Sequence, residues 1–202
     1  EKNNPIMDVN LLEKFINNRT KAIIPTQLNG RAVNMERVWF LAKKYNIRVI
    51  EDSAQGFLSK YQGNYMGTLS DFGCFSMSVA KLLPTGQGGF IVTNNKQNYA
   101  ILLKIRTHGV SNFTEFSPFE TLGFNFRITD IISSIGITRL DDINLKIKKL
   151  KKIYKIYHKE LRNIIDINLI PVDISQGEIP LYIEVISQNS KKIIKHLKKN
   201  NI

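Results

Sequence analysis

The chain of 202 residues is long enough for one large domain, or for one domain and part of a second. Apolar residues make up 43% of it and cysteine occurs once, so a disulfide-built exported protein is disfavoured. No stretch reaches the roughly 20 apolar residues of a membrane span. Residues 1–10 also lack the apolar run of a signal peptide. We therefore expect no membrane association and a cytoplasmic location.

The formal net charge of +12 raises the question of nucleic-acid binding. The lysines, however, concentrate in segments 146–162 and 191–200, where apolar residues recur between them at helical spacing. In the first segment these apolar residues are Ile147, Leu150, Ile153, Ile156 or Tyr157, and Leu161. Such spacing is typical of an amphipathic helix whose charged face is solvated. We therefore predict no nucleic-acid partner.

The first quarter of the chain alternates between helical and strand patterns. The spacing of apolar residues predicts, in chain order, a helix over 9–17, a strand over 21–30, a helix over 35–45 and a strand over 47–56. This order with short connections predicts a right-handed crossover and a parallel sheet. Ligands of parallel sheets bind beyond the carboxyl ends of the strands. Glu51 and Asp52 occupy that position as a pair of carboxylates.

The rest of the chain contains a predicted hairpin and then mainly helices. Apolar runs at 75–78 and 90–93 flank a turn rich in proline and glycine that contains Lys81. Most loop lysines are simply solvated, although this one lies close to bare backbone. Cys74 lies in an apolar strand and is interpreted as a core residue. Further patterns predict helices over 96–107, 129–143, 146–162 and 190–200, a strand over 179–186 and an aperiodic loop over 111–123, with Thr129 as a helix cap.

Four short motifs follow one another along the chain. They are EDSAQ at 51–55, SMSVAK at 76–81, TGQGG at 85–89 and GFNFR at 123–127. Together they resemble the DegT and StrS family of sugar aminotransferases, which are pyridoxal 5'-phosphate enzymes of fold type I that act on nucleotide-linked keto-sugars. Each motif alone occurs by chance, whereas their joint order is specific.

The resemblance implies an α/β fold divided into two parts. Residues 1–143 are expected to form the C-terminal portion of the large domain that binds pyridoxal phosphate, with a mostly parallel sheet. Residues 144–202 are expected to form part of a small α+β domain. On this resemblance the chain is a fragment that covers the middle of such an enzyme.

The resemblance also implies which residues carry the chemistry. Lys81 matches the lysine that holds the cofactor aldehyde as a Schiff base and moves a proton between two carbons. Asp52 matches the carboxylate that keeps the ring nitrogen of the cofactor protonated. Gln55 is expected to lie against the cofactor ring or its hydroxyl group. Lys81 and Asp52 are therefore the predicted catalytic residues.

Other residues match family positions around the phosphate and the substrate. Ser76 matches the serine that binds the cofactor phosphate. Asn125 matches an asparagine that reaches the phosphate of the neighbouring subunit, which implies a homodimer with shared active sites. Arg127 is a candidate for binding a carboxylate of the amino donor, with a structural ion pair as an equal alternative. His108 is given at most a supporting position, and no metal ligand is predicted.

The predicted function is transfer of an amino group, with glutamate as donor, to a nucleotide-linked keto-deoxysugar. The presence of Lys81, where a dehydratase branch of the family has histidine, favours the transaminase. Gln27 and Gln87 depart from the family pattern and are expected to alter substrate contacts. The alternatives are a truncated or non-catalytic relative that binds partners, and a pyridoxal-phosphate enzyme for another small keto substrate.

Overall fold

The computed structural model describes residues 4–112, 114 and 118–202, so part of the loop predicted over 111–123 lies outside the described residues. The helices in these ranges are α1 (Val9–Leu12), α2 (Met35–Tyr45), α3 (Lys96–Arg106), α4 (Asp130–Asp141), α5 (Ile143–Leu161) and α6 (Ser190–Lys199). The strands are β1 (Ala22–Ile23), β2 (Arg48–Asp52), β3 (Lys60–Tyr61), β4 (Asn64–Tyr65), β5 (Phe72–Ser76), β6 (Gly89–Val92), β7 (Asn168–Leu169) and β8 (Val185–Ile186). A short 3-10 turn at Glu13–Phe15 extends α1, and another at Leu28–Gly30 follows β1.

The central sheet has four strands in the order β1, β2, β5 and β6. Strands β1 and β5 both pair with β2 in parallel, whereas β6 pairs with β5 in antiparallel fashion. The prediction of an α/β fold with a mostly parallel sheet is therefore confirmed. The antiparallel pairing of the runs on either side of Lys81 is confirmed as well.

The strand predicted over 21–30 is shorter than its apolar pattern indicated. It ends before Pro25, which has no backbone N–H to donate, and Asn29 further on adopts a left-handed conformation with φ of 55°. The chain nevertheless stays beside β2, since Asp52 N donates to Pro25 O (3.0 Å) and Gln27 N donates to Asp52 O (2.9 Å). The loop that follows thus leaves the sheet at its carboxyl end.

Helix α2 has the bounds that the sequence predicted. The Asn34 side chain accepts a hydrogen bond from Arg37 N at its start, and Asn46 ends it in the left-handed conformation. Its apolar stripe packs against β1 and β2. The resulting core cluster consists of Val9, Ile23, Val33, Met35, Val38, Leu41, Ala42 and Val49.

The two faces of the central sheet differ in burial. In β2 and β5 the odd-numbered residues are buried, and the even-numbered residues are partly or fully exposed. The register pairs Asp52 with Cys74, and side chains alternate along each strand. Asp52, Cys74 and Ser76 therefore lie on one face, which we call the open face (even-numbered residues of β2 and β5).

The C-terminal helices follow their predictions with local differences. Thr129 caps α4, since its Oγ1 accepts a hydrogen bond from Ile132 N. On α5, Ile143 and Tyr154 are buried, whereas Ile156 and Tyr157 are exposed. In the C-terminal half of this helix the buried residues therefore differ from the predicted ones. None of the helices in the described ranges combines the length and hydropathy of a membrane span.

The strand predicted over 179–186 forms only at its end, as β8, which pairs with β7. The residues before it make other contacts: Ile179 N donates to Ser59 Oγ (3.1 Å) and Tyr182 N donates to Asn29 Oδ1 (2.6 Å). The boundary predicted between residues 143 and 144 stays a prediction. A second core cluster spans it and contains Met77, Leu82, Leu83, Ile143 and Ile179.

Candidate active site

Asp52 lies at the carboxyl end of β2 on the open face. Its Oδ1 accepts a hydrogen bond from Ala54 N (3.1 Å), and Thr26 Oγ1 lies 3.5 Å from its Oδ2. Cys74 is the neighbour of Asp52 on the open face. The pKa of its thiol is raised, first by burial and secondly by the negative charge of Asp52. A carboxylate can accept more hydrogen bonds than those from Ala54 N and Thr26 Oγ1. The half-buried Asp52 can thus also accept one from an N–H group of a ligand on the open face.

Because side chains alternate along β2, Glu51 lies on the opposite face of the sheet from Asp52. There it is fully buried. Its Oε1 accepts a hydrogen bond from Leu69 N (2.8 Å), and its Oε2 accepts from Gly67 N (2.9 Å) and Gln27 Nε2 (3.1 Å). The oxygen of the Gln27 side chain accepts in turn from Val33 N (2.9 Å). Glu51 and Gln27 thus hold loops together inside the protein, and the expectation that Gln27 alters substrate contacts stays a prediction.

Ser76 ends β5 on the same face, two residues after the partner of Asp52. Its Oγ accepts a hydrogen bond from Ser78 N (3.3 Å), so the hydroxyl proton can donate to another group. Its cross-strand neighbour is Gly89, where a Cβ would lie 2.4 Å from the carbonyl oxygen of Phe75. The missing side chain at this position keeps β6 close to β5 and leaves room beside the serine.

Lys81 lies in a tight turn that we call the lysine turn (residues 78–83). Its backbone N donates to Ser78 O (3.0 Å), and its side chain is half-buried. Leu82 and Leu83 insert into the second core cluster. The amine is therefore carried by a turn that is anchored in the core, five residues after Ser76.

Gln55 follows β2 and is held by the loop after β1. Its Oε1 accepts a hydrogen bond from Asn29 N (2.8 Å), and the side chain is partly buried. The carboxyl ends of β2 and β5 thus bring Asp52, Gln55 and Ser76 to one edge of the sheet, with the lysine turn next in the chain.

Asn125 and Arg127 lie on a different segment. Arg127 Nε donates to Asn125 Oδ1 (3.3 Å), and Asn125 forms an isolated bridge with Thr107 at the end of α3. Both side chains are exposed, and these contacts do not join them to Asp52. His108 adopts a left-handed conformation, with φ of 55°, in the turn after α3.

Two side chains that the sequence analysis did not single out reach the lysine turn. Lys146 Nζ donates to the carbonyl oxygens of Lys81 (3.0 Å) and Leu82 (2.8 Å). Tyr182 Oη donates to Ala80 O (2.9 Å). Lys146 stands in a run of similar lysines, and nothing in its spacing distinguishes it.

Comparison with known proteins identifies the family of the chain. The model of the DegT/DnrJ/EryC1/StrS aminotransferase family matches residues 1–202. GDP-perosamine synthase of Escherichia coli O157:H7 is 36% identical over 162 residues, which cover 80% of this chain and 44% of that protein. The UDP-4-amino-4,6-dideoxy-N-acetyl-beta-L-altrosamine transaminase of Campylobacter jejuni is 32% identical over 163 residues, covering 79% and 43%.

The fold has a solved counterpart in Helicobacter pylori PseC, an aminotransferase involved in the biosynthesis of pseudoaminic acid. The TM-score is 0.91 at 26% identity, over 99% of this chain and 56% of that one. The chain thus spans about half the length of the relatives it matches. The order of its motifs, its sheet and the family match over all 202 residues lead to one conclusion: the chain belongs to the DegT/DnrJ/EryC1/StrS aminotransferase family.

Proposed function

We propose that the protein is a pyridoxal-phosphate-dependent aminotransferase that transfers an amino group, with glutamate as donor, to a keto-deoxysugar carried on a nucleotide. The observation that carries the proposal is the convergence of Asp52 and Ser76 on the open face, with Lys81 on the turn that follows. The two relatives described above are named for GDP-linked and UDP-linked sugars. A nucleotide-linked sugar is the substrate class that they share.

The donor set of the site fits pyridoxal phosphate. The cofactor has a phosphate, an aldehyde and a ring nitrogen, and the site offers a hydroxyl, an amine and a carboxylate on Ser76, Lys81 and Asp52. When bound, the cofactor withdraws electrons from the carbon that carries the amino group. In this proposal Ser76 donates to the phosphate, Gln55 lies against the ring, and Asp52 holds a proton on the ring nitrogen.

Lys81 has two tasks in the proposed reaction. Its Nζ would hold the aldehyde of the cofactor and, as a free amine, would carry a proton between two carbons of the bound molecule. The half-buried lysine turn supports both tasks, because it limits the positions that the amine can take. Arg127 is the proposed partner for the carboxylate of the amino donor, through two parallel hydrogen bonds.

The proposal includes a homodimer in which Asn125 of a second copy reaches the cofactor phosphate. Support comes from exposed apolar side chains on both sides of Asn125. The exposed fraction is 81% for Phe119, 78% for Leu122, 66% for Phe126 and 76% for Ile131. Monomeric proteins rarely leave a large apolar patch in water. A second copy of the chain accounts for it and brings the asparagine to the site.

We also propose a cytoplasmic enzyme that supplies amino sugars for a polysaccharide of the cell envelope. The supporting observations are the single cysteine, Cys74, and the nucleotide-linked sugars in the names of the relatives. Dividing residues 1–143 from 144–202 as large and small domains belongs to the same proposal.

The test is covalent trapping of pyridoxal phosphate on Lys81. The purified full natural polypeptide is incubated with the cofactor, reduced with borohydride and digested, and the peptide that contains Lys81 is examined by mass spectrometry. We expect the reduced adduct on this peptide, and its loss in Lys81→Ala. Lys151→Ala, which removes another half-buried lysine, is the matched control and should keep the adduct. A folded wild-type protein without the adduct would overturn the proposal and favour a non-catalytic relative.

A further inference from the structure

The lysine turn presents three successive carbonyl groups to the C-terminal part of the chain. These are the carbonyls of Ala80, Lys81 and Leu82, and each accepts a hydrogen bond from a side chain. The donors come from residues that are 64 to 102 positions further along the chain. The turn is therefore fixed by contacts from outside the sheet as well as by its own buried leucines.

Lys146 holds two of the three carbonyls with a single ammonium group. Its Nζ lies 3.0 Å from Lys81 O and 2.8 Å from Leu82 O, at the start of α5. The neighbouring lysines Lys148 and Lys149 are exposed on the same helix. Burial, and secondly the charge of Arg139, lowers the pKa of the Lys146 ammonium below its ordinary value. The two contacts with backbone carbonyls set Lys146 apart from these neighbours.

Tyr182 binds the remaining carbonyl and also links the lysine turn to Gln55 through Asn29. Its Oη donates to Ala80 O (2.9 Å), and its backbone N donates to Asn29 Oδ1 (2.6 Å). Asn29 Nδ2 donates back to Tyr182 O (2.8 Å), and Asn29 N donates to Gln55 Oε1 (2.8 Å). A continuous series of hydrogen bonds thus joins the lysine turn to the side chain proposed to lie against the cofactor ring.

We propose that Lys146 and Tyr182 are positioning residues for Lys81. By holding the carbonyls of the lysine turn, they fix the point from which the Lys81 amine extends toward the open face. Through Asn29, Tyr182 also sets that point relative to Gln55. The role of these residues in catalysis rests on the proposed function, whereas their effect on the lysine turn does not.

The test uses two variants that remove only the donors. Tyr182→Phe deletes one hydroxyl, and Lys146→Met keeps an unbranched apolar chain but removes the ammonium. Tyr157→Phe and Lys155→Met are the matched controls, since both residues are exposed on α5. Lys146→Arg, which can still donate to both carbonyls, is the conservative variant that should restore the behaviour.

The first readout is taken without cofactor. The rate at which an amine-selective acylating reagent modifies Lys81 is followed by mass spectrometry at several pH values. Because Lys81 is a partly buried residue on a held turn, we expect the two donor variants to be modified at least threefold faster than wild type and the controls to be unchanged. A thermal unfolding curve of each variant shows whether the fold is intact.

The second readout is the rate of pyridoxal-phosphate trapping on Lys81. Losing one net hydrogen bond corresponds to a change of about 2-fold to 10-fold, so trapping should slow by that factor in Tyr182→Phe. It should slow by at least that factor in Lys146→Met, which loses two hydrogen bonds. Wild-type rates of both acylation and trapping in Tyr182→Phe and Lys146→Met would overturn the inference, even with lowered thermal stability. If wild type traps no cofactor, the proposed function fails, and the acylation rates still decide whether these residues position Lys81.

Discussion

Replacing Glu51 with glutamine tests whether the hydrogen bonds on the buried face of β2 stabilise the fold independently of the residues on its open face. Three donors surround the Glu51 carboxylate, which is fully buried. An amide has one oxygen and one NH2 group, so either Leu69 N or the pair of Gly67 N and Gln27 Nε2 loses its acceptor. The less costly orientation leaves Leu69 N unpaired.

A buried donor without a partner costs about 1 to 3 kcal/mol, which is the expected loss in the free energy of unfolding for Glu51→Gln. For a chain of this size that corresponds to a fall of about 2 to 12 °C in Tm, at about 2 to 4 °C for each kcal/mol. Glu51→Ala leaves all three donors unpaired and should cost about 3 kcal/mol or more.

The assay is urea unfolding of the full natural polypeptide, followed by circular dichroism. Glu36→Gln is the matched control, because Glu36 is exposed, and it should stay within about 0.5 kcal/mol of wild type. Asp52→Asn should behave like this control, since the asparagine oxygen can still accept from Ala54 N. If Glu51→Gln unfolds at the same urea concentration as Glu36→Gln, the described hydrogen bonds do not stabilise the protein.

Two further predictions concern titration. Burial, and secondly the charge of Asp52, raises the pKa of Cys74. Asp52→Asn removes that charge, so more thiolate should form and iodoacetamide should alkylate Cys74 faster at mildly alkaline pH. An unchanged rate would contradict the placement of both residues on the open face. Hydrogen bonds from Lys44 and then Tyr45 lower the pKa of Glu13 from its ordinary value of 4.5. A lowered pKa stabilises the fold above the ordinary value and ceases to do so as pH falls through the lowered one. Urea midpoints of wild type and Glu13→Gln should therefore differ at neutral pH and converge in acid; a difference that persists in acid would contradict this.

The elements that could be predicted from the sequence are those whose stability is local. Helix α2 was predicted with its observed bounds because its apolar stripe and its capping residues lie within the same short segment. The parallel pairing of β2 followed from the order of elements and from the handedness of crossovers. By contrast, β7 and the hairpin of β3 and β4 are strands of two residues each, too short to give a periodic pattern.

The site could be predicted in part, and the limits have physical causes. Asp52 and Ser76 are the last residues of β2 and β5, and Lys81 lies in the turn after β5, so the strand pattern of the sequence indicates where they lie, whereas their roles stay predictions. The buried role of Glu51 does not follow from the sequence, since its three donors come from loops 16 to 24 residues away. Tyr182 was similarly hidden, because its hydroxyl contact joins residues 102 positions apart.

The contacts that hold the lysine turn also determine when the site is complete during protein synthesis. Strands β1, β2 and β5 and helix α2 all precede Lys81 in the chain, so they leave the ribosome before it. Lys81 follows within a few residues, but Lys146 and Tyr182 are translated much later. These parallel strands are therefore present before the lysine turn acquires the hydrogen bonds from Lys146 and Tyr182. A nascent chain that ends before Lys146 carries Lys81 on a turn that its later residues do not yet hold.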